Sequence, residues 1–161
     1  SHSSSPTDLS VTSLTSTTLD VSWSFPIDTC AWRVTHYQVT YYGIGIDTSL
    51  RTVTTVNENY QITGLEEYTD YIIEIKAANS NYTSQASSIH IRTASSAPSG
   101  PPLNVTLLYI DKQVAFVSWL PPAVIQQNGI ISHYQLALTN TDNSLVVDEF
   151  SIKSGYNSYN W

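Results

Sequence analysis

The sequence predicts an all-β protein built from two tandem β-sandwiches, and three observations lead to this fold class. Apolar and polar residues alternate with a period of two, as in Leu19–Ser24, whereas helical periodicity is hard to find. Trp23 and Tyr37 recur as Trp119 and Tyr134, at offsets of 96 and 97 residues, which indicates a repeated domain. The length of 161 residues allows two small domains, and a domain of about 90 residues can fold around its own core.

Alternating segments predict the strands of each domain in turn. In the first domain they are 19–23, 37–41, 60–62, 71–77 and 89–91. The pattern restarts at Val105 and Leu107 and continues through 115–119 and 134–138. Strands with one apolar face, separated by short segments rich in Thr, Asn, Gly and Pro, are typical of an antiparallel sandwich, which buries one face of each sheet.

The stretch Ser-Ser-Ala-Pro-Ser-Gly-Pro-Pro at residues 95–102 predicts a linker. It is rich in turn formers and carries no apolar periodicity, and its prolines should make it fairly stiff. We therefore expect a first domain over residues 6–94, a linker over 95–102 and a second domain over 103–161.

Charge and hydropathy limit the classes of partner. Thirteen acids and six bases give a net charge of −7, and the bases form no cluster. Binding to nucleic acid or to an anionic membrane surface is therefore not expected. No stretch approaches the roughly 20 apolar residues of a membrane span, so we expect no membrane insertion by this segment.

The aromatic residues and corner of the first domain resemble those of a fibronectin type III domain. Trp23 would be the tryptophan of the second strand and Tyr37 the tyrosine of the third. Leu65 and Tyr71 stand six residues apart, as at the family's corner, where the tyrosine hydroxyl returns to nearby backbone. Glu67 occupies a position where the family often has proline.

The second domain resembles the family at its start and lacks its last strands. Residues 119–134 match the signature W-x-P-P…N-G-x-I-x-x-Y through Trp119, Pro121-Pro122, Asn128-Gly129, Ile131 and Tyr134. Residues 159–161 align with residues 60–62, so residues 63–93, strands F and G, have no counterpart. One expectation is that the sequence is truncated here, and the alternative is that another chain supplies the strands by β-strand addition.

No constellation of catalytic or metal-binding residues stands out. Cys30 and His36 could form a nucleophile and base, but alternation points His36 outward, and His133 repeats its position before Tyr134. There is no zinc-ligand spacing, calcium loop or phosphate-binding glycine loop, and Gly43-Ile44-Gly45 lies in a predicted turn. We therefore expect a non-enzyme without cofactor or metal.

Five residues are candidates for modification or binding. Asn81 and Asn104 begin N-x-[ST] sequons. Cys30 is the only cysteine and is either a buried thiol or the source of an intermolecular disulfide. Trp32 and Arg33 lie in the loop after the second strand, where an exposed Trp beside an Arg would favour protein binding and a Trp folded back would cap the core.

Two further residues, Tyr42 and Ile72, should face away from the core. They are either an apolar contact patch or single exposed residues.

The resemblance implies an extracellular adhesion protein, matrix component or receptor ectodomain, whose segment here spaces domains and contacts other proteins. Two alternatives remain open. The chain could be the subunit of an extracellular filament assembled by strand exchange at the second domain, which would make it a homo-oligomer. It could also be an accessory module of a secreted enzyme.

Overall fold

The computed structural model describes residues 4–27, 33–109 and 114–160. The chain divides into two compact units, Ser1–Ser96 and Ala97–Trp161. Both are built almost entirely from antiparallel strands. The all-β prediction is confirmed.

The described residues of the first unit form two sheets that face each other. One has the strand order β1-β2-β5 and the other has the order β4-β3-β6-β7. The strands are β1 (Thr7–Leu14), β2 (Leu19–Ser24), β3 (His36–Gly43), β4 (Arg51–Thr55), β5 (Asn59–Ile62), β6 (Asp70–Ala78) and β7 (Ser87–Arg92). The second sheet is wider because both β4 and β6 pair with β3.

The core of the first unit follows from the alternation along each strand. In β6 the side chains of Tyr71, Ile73 and Ile75 are fully buried, while Ile72 and Glu74 between them face outward. One cluster joins residues of both sheets, including Trp23 and Tyr37. The rings of Trp23 and Tyr37 meet edge to face, with centroids 5.4 Å apart and planes inclined by 68°, a favourable aromatic geometry.

The described residues of the second unit repeat the first five strands and add one helical turn. The strands are β8 (Leu103–Tyr109), β9 (Ala115–Leu120), β10 (His133–Thr139), β11 (Val146–Lys153) and β12 (Ser158–Asn160), and α1 is Val124–Gln127. Sheet β8-β9-β12 corresponds to β1-β2-β5, and sheet β10-β11 corresponds to β3-β4. No described strand of this unit corresponds to β6 or β7.

Each unit has an equivalent central aromatic pair, and the fifth strand of each unit pairs in the same register. Trp119 and Tyr134 meet edge to face with centroids 5.5 Å apart. Tyr159 lies opposite Val117 as Tyr60 lies opposite Val21. The alignment of residues 159–160 with residues 60–61 therefore holds in strand pairing as well as in sequence.

The segment that begins the second unit is held by α1 and the residue after it. Ser99 N donates to the carbonyl of Gln126 at 2.9 Å, and the side-chain amide of Asn128 donates to the carbonyl of Ala97 at 3.0 Å. Asn128 is left-handed, with φ 52°, a conformation that asparagine tolerates better than most residues. Residues 97 and 99 of the stretch predicted as a linker are thus hydrogen-bonded to residues of the second unit.

Candidate protein-binding surface

The sheet β4-β3-β6-β7 exposes one continuous face to solvent. Alternation turns every second residue of each strand away from the core. We call these positions the outer sheet face: His36, Gln38, Thr40, Tyr42, Thr52, Thr54, Asp70, Ile72, Glu74, Lys76, Ser88, His90 and Arg92.

Strand register brings Tyr42 and Ile72 together on this face. Tyr42 lies opposite Ile72 in the β3–β6 pair, and Ile72 lies opposite His90 in the β6–β7 pair. Side chains that are directly opposite each other in antiparallel strands are in contact range. Both side chains are half-buried, and their placement opposite each other makes a small apolar patch on this face.

An ion-pair cluster borders the patch on one side. The Arg92 guanidinium donates to both carboxylate oxygens of Asp70, at 2.7 and 3.2 Å, and His90 Nε2 lies 3.1 Å from Asp70 Oδ1. The hydrogen bond from Arg92 is the main reason why the pKa of Asp70 is below its usual value. Arg92 also stacks over the ring of Tyr68, with 4.8 Å from Cζ to the centroid. Arg92 is thus held in a fixed position at the edge of the patch.

The β3–β4 loop extends the apolar surface beyond the patch. Ile44, Ile46 and Leu50 are 49%, 56% and 68% exposed. Ile44 N donates to the carbonyl of Asp70 at 2.8 Å, which continues the β3–β6 ladder and places Ile44 beside Asp70. Sequence reasoning identified this segment only as a turn, although three large aliphatic residues in one loop were a readable signal.

Asp47 fixes the shape of that loop. Its carboxylate forms an ion pair with Arg51 and accepts a hydrogen bond from the Tyr71 hydroxyl at 2.7 Å. Its carbonyl accepts from Gly43 N. A Cβ atom at position 43 would lie 2.4 Å from that carbonyl oxygen, so this close approach requires glycine. The exposed isoleucines are therefore presented on an anchored loop.

The opposite sheet of the same unit has a different outer surface. The outward positions of β2 and β5 are Asp20, Ser22, Ser24, Asn59 and Gln61, as the pairing of these strands shows. None of these five residues is apolar or basic. The outward positions of β2 and β5 therefore offer neither an apolar patch nor a basic partner for an ion pair.

The predicted binding loop is only partly within the described chain. Cys30 and Trp32 lie outside the described residues. Arg33 is exposed, and its carbonyl accepts a hydrogen bond from the side-chain amide of Asn79 at 2.9 Å. This bond joins the β2–β3 and β6–β7 loops at the end of the sandwich opposite to the β3–β4 loop.

The two sequons have different local structures. Asn81 is exposed at the tip of the β6–β7 loop, in a turn where the Asn79 side chain accepts from the backbone of Asn81 and Tyr82, both at 2.8 Å. Asn104 is exposed on β8 with φ 50°, at a register shift. The hydroxyl of its sequon residue Thr106 donates to the Asn104 carbonyl at 3.0 Å.

The described residues offer no group of three or more His, Cys, Asp or Glu side chains that could hold a metal ion. In the same part of the chain, no helix is long and apolar enough to cross a membrane.

Comparison with known families identifies the fold. The fibronectin type III domain profile matches residues 4–93. The chain belongs to the fibronectin type III family. The family prediction made from Trp23, Tyr37, Leu65 and Tyr71 is confirmed. The Tyr71 hydroxyl accepts from the backbone N–H of Glu66 at 2.9 Å, as expected of a tyrosine at this corner.

The relatives of this chain include a cell adhesion molecule and a receptor-type phosphatase. The chain is 29% identical to human neogenin over 121 residues, 74% of the chain and 8% of that protein. It is 30% identical to the cell adhesion molecule DSCAM of Gallus gallus over 159 residues, 96% of the chain and 8% of that protein. It is 29% identical to the receptor-type tyrosine-protein phosphatase F of Bos taurus over 147 residues, 88% of the chain and 8% of that protein.

A solved structure supports the tandem fold. A two fibronectin type III domain segment from chicken tenascin aligns with a TM-score of 0.51 and 20% identity, covering 97% of this chain and 81% of that one. The chain spans less than a tenth of the length of the three curated relatives named above.

Proposed function

We propose that this chain is a non-catalytic, extracellular segment of an adhesion protein or receptor ectodomain, and that it binds other proteins through the outer sheet face. The observation that carries the proposal is the juxtaposition of Tyr42 and Ile72 beside the exposed Ile44. The names of the relatives, a cell adhesion molecule and a receptor-type phosphatase among them, support the extracellular setting.

The chemistry of this face suits a protein partner. Protein interfaces combine an apolar centre containing aromatic residues with a polar rim, and Tyr and Arg are enriched among residues that dominate binding energy. Tyr42 and Ile72 supply the apolar centre, and Asp70 and Arg92 supply a rim whose side chains already hold each other in place. Prior ordering of these side chains reduces the entropy lost on binding.

Glycosylation at Asn81 would leave the half of this face around Asp70 and Tyr42 accessible. Asn81 follows β6, whose nine residues span about 30 Å at roughly 3.3 Å per residue. Asp70 and the β3–β4 loop lie at the other end of that strand. A glycan at Asn81 would instead restrict access to the β2–β3 and β6–β7 loops, which makes Arg33 the weaker candidate for binding.

The test is the binding of multivalent protein to intact cells. The full chain, biotinylated and tetramerised on fluorescent streptavidin, is applied to several vertebrate cell lines before and after surface proteolysis. We expect protease-sensitive binding that Tyr42→Ser lowers and that Tyr156→Ser, at another exposed tyrosine, leaves unchanged. Absence of protease-sensitive binding on every line, or equal binding by both variants, would contradict the proposal.

A further inference from the structure

We propose that the partner of the outer sheet face is a second copy of this chain, bound face to face about a twofold axis. This inference rests on the proposed function, because it names the partner of the same surface. Any two copies of a chain with net charge −7 repel each other overall, so a face that joins them must be locally balanced in charge.

The outer sheet face is the neutral region of an acidic unit. Residues 1–95 contain nine acids and four bases. The face itself holds two acids, Asp70 and Glu74, and two bases, Lys76 and Arg92. Two copies that meet through this face therefore bring together balanced charge, whereas the outward positions of β2 and β5 hold Asp20 and no base.

The two ends of the outward row of side chains on β6 carry opposite charges. The outward residues read Asp70, Ile72, Glu74 and Lys76. When two β6 strands cross antiparallel at their midpoint, Asp70 of each copy stands opposite Lys76 of the other. A twofold interface repeats every contact, so this ion pair forms twice. Between the two ion pairs, Ile72 of each copy stands opposite Glu74 of the other, with Tyr42 beside Ile72.

The size of the face predicts a weak interface. Four strands at a spacing of about 4.8 Å and roughly eight residues at about 3.3 Å give close to 20 by 26 Å per copy. The total buried surface is then about 1,000 Å², which is the lower limit of specific interfaces. Weak contacts of this kind become effective when many copies are held on two opposed surfaces, which is the situation of an adhesion protein.

A charge exchange tests the proposed pairing. Self-association of the full chain is measured by sedimentation equilibrium for the wild type, Lys76→Glu, Asp70→Lys and an equimolar mixture of these two variants. Each variant alone places like charges opposite each other twice, so we expect its self-association to weaken at least about tenfold. The mixture restores both pairings between unlike copies, and association should return to near the wild-type level.

Two controls separate this effect from misfolding and from general charge. Gln61→Glu adds a negative charge to the opposite sheet and should leave self-association unchanged. Thermal unfolding of each variant reports whether the unit remains folded, and restoration in the mixture could not occur between unfolded copies. Tyr42→Ser, which changes no charge, should weaken self-association as well.

Three results would overturn the inference: a wild type that stays monomeric up to millimolar concentration, variants that associate like the wild type, or a mixture no stronger than its components. The cell-binding assay distinguishes failure of the inference from failure of the proposed function. Protease-sensitive binding by a chain that does not self-associate would leave the adhesion module in place with a different partner. Loss of both would remove the function as well.

Discussion

The hydroxyl group of Tyr71 connects two turns of the first unit, since it donates to Asp47 Oδ2 at 2.7 Å and accepts from Glu66 N–H at 2.9 Å. The first bond holds the β3–β4 loop and the second holds the corner between β5 and β6. Both ends of the hydroxyl are therefore used, and the buried ring of Tyr71 links the core to the loop that carries Ile44.

Replacing Tyr71 with phenylalanine should destabilise the first unit by about 1 to 3 kcal/mol, because the amide of Glu66 loses its acceptor while the core volume is preserved. Asp47→Ala in the same background should cost less than it does in the wild type, since the bond between the two side chains is already absent. Chemical denaturation of the four proteins gives the coupling energy. Tyr156→Phe at an exposed tyrosine is the matched control, and additive effects of the two changes would argue against the bond.

The buried tyrosines also predict loss of stability in alkali. Burial, and then the adjacent Asp47 carboxylate, raises the pKa of Tyr71 from 10.0 to about 12. Burial, and then Glu58, does the same for Tyr37. Because the folded state holds these protons more tightly than the unfolded chain, their contribution to stability is fully present below pH 10 and declines as the pH rises towards 12.

The measurement is the free energy of unfolding by chemical denaturation at a series of pH values between 8 and 12, the range set by these two pKa values. Tyr71→Phe should make the decline shallower by removing one of the two protons. A decline of the same steepness in both proteins would mean that Tyr71 ionises normally.

Truncation of the central tryptophan should be costly in both units. Trp23 and Trp119 are 4% and 6% exposed, and replacing a buried large aromatic residue with alanine costs about 3 to 5 kcal/mol. Trp23→Ala and Trp119→Ala should therefore each lower the stability of their own unit, as followed by circular dichroism in denaturant. A loss below about 1 kcal/mol for Trp23→Ala would contradict the assignment of Trp23 to the core.

Glycosylation should be observed at Asn81 when the chain is secreted from a eukaryotic cell. The exposed tip of the β6–β7 loop gives the modifying enzyme access to the side chain. Intact mass before and after treatment with peptide N-glycosidase should differ in the wild type, and Asn81→Gln should remove the glycan at this position. Asn104→Gln shows in the same way whether the second sequon is used. An unmodified Asn81 peptide would refute the prediction.

Sequence patterns were most informative where burial is regular. The alternation around Trp23, Tyr37 and Tyr71 predicted the fold class and the family, because a half-buried strand repeats its environment every two residues. The same alternation correctly pointed Tyr42 and Ile72 outward. Their placement opposite each other depended on the β3–β6 register, which is set by long-range pairing and has no local signature.

The hydrogen bond that anchors the β3–β4 loop could not be predicted from the sequence. Asp47 and Tyr71 are separated by 24 positions, and nothing in either neighbourhood indicates that their side chains meet. The hydrogen bonds that join residues 97 and 99 to Gln126 and Asn128 are similar, because one joins two backbone groups and the other joins a side chain to a backbone carbonyl 31 positions away. Such contacts follow from the folded arrangement and not from composition.

The anchoring of the β3–β4 loop separates the residues that set its shape from those that a partner would touch. Gly43, Asp47 and Arg51 hold the hairpin from within, while Ile44 and Ile46 project into solvent. Substitutions at the projecting positions can therefore change which partner is bound with little loss of folding free energy. For the same reason this hairpin is a natural place to graft foreign recognition sequences onto the domain, provided that the three anchoring residues are kept.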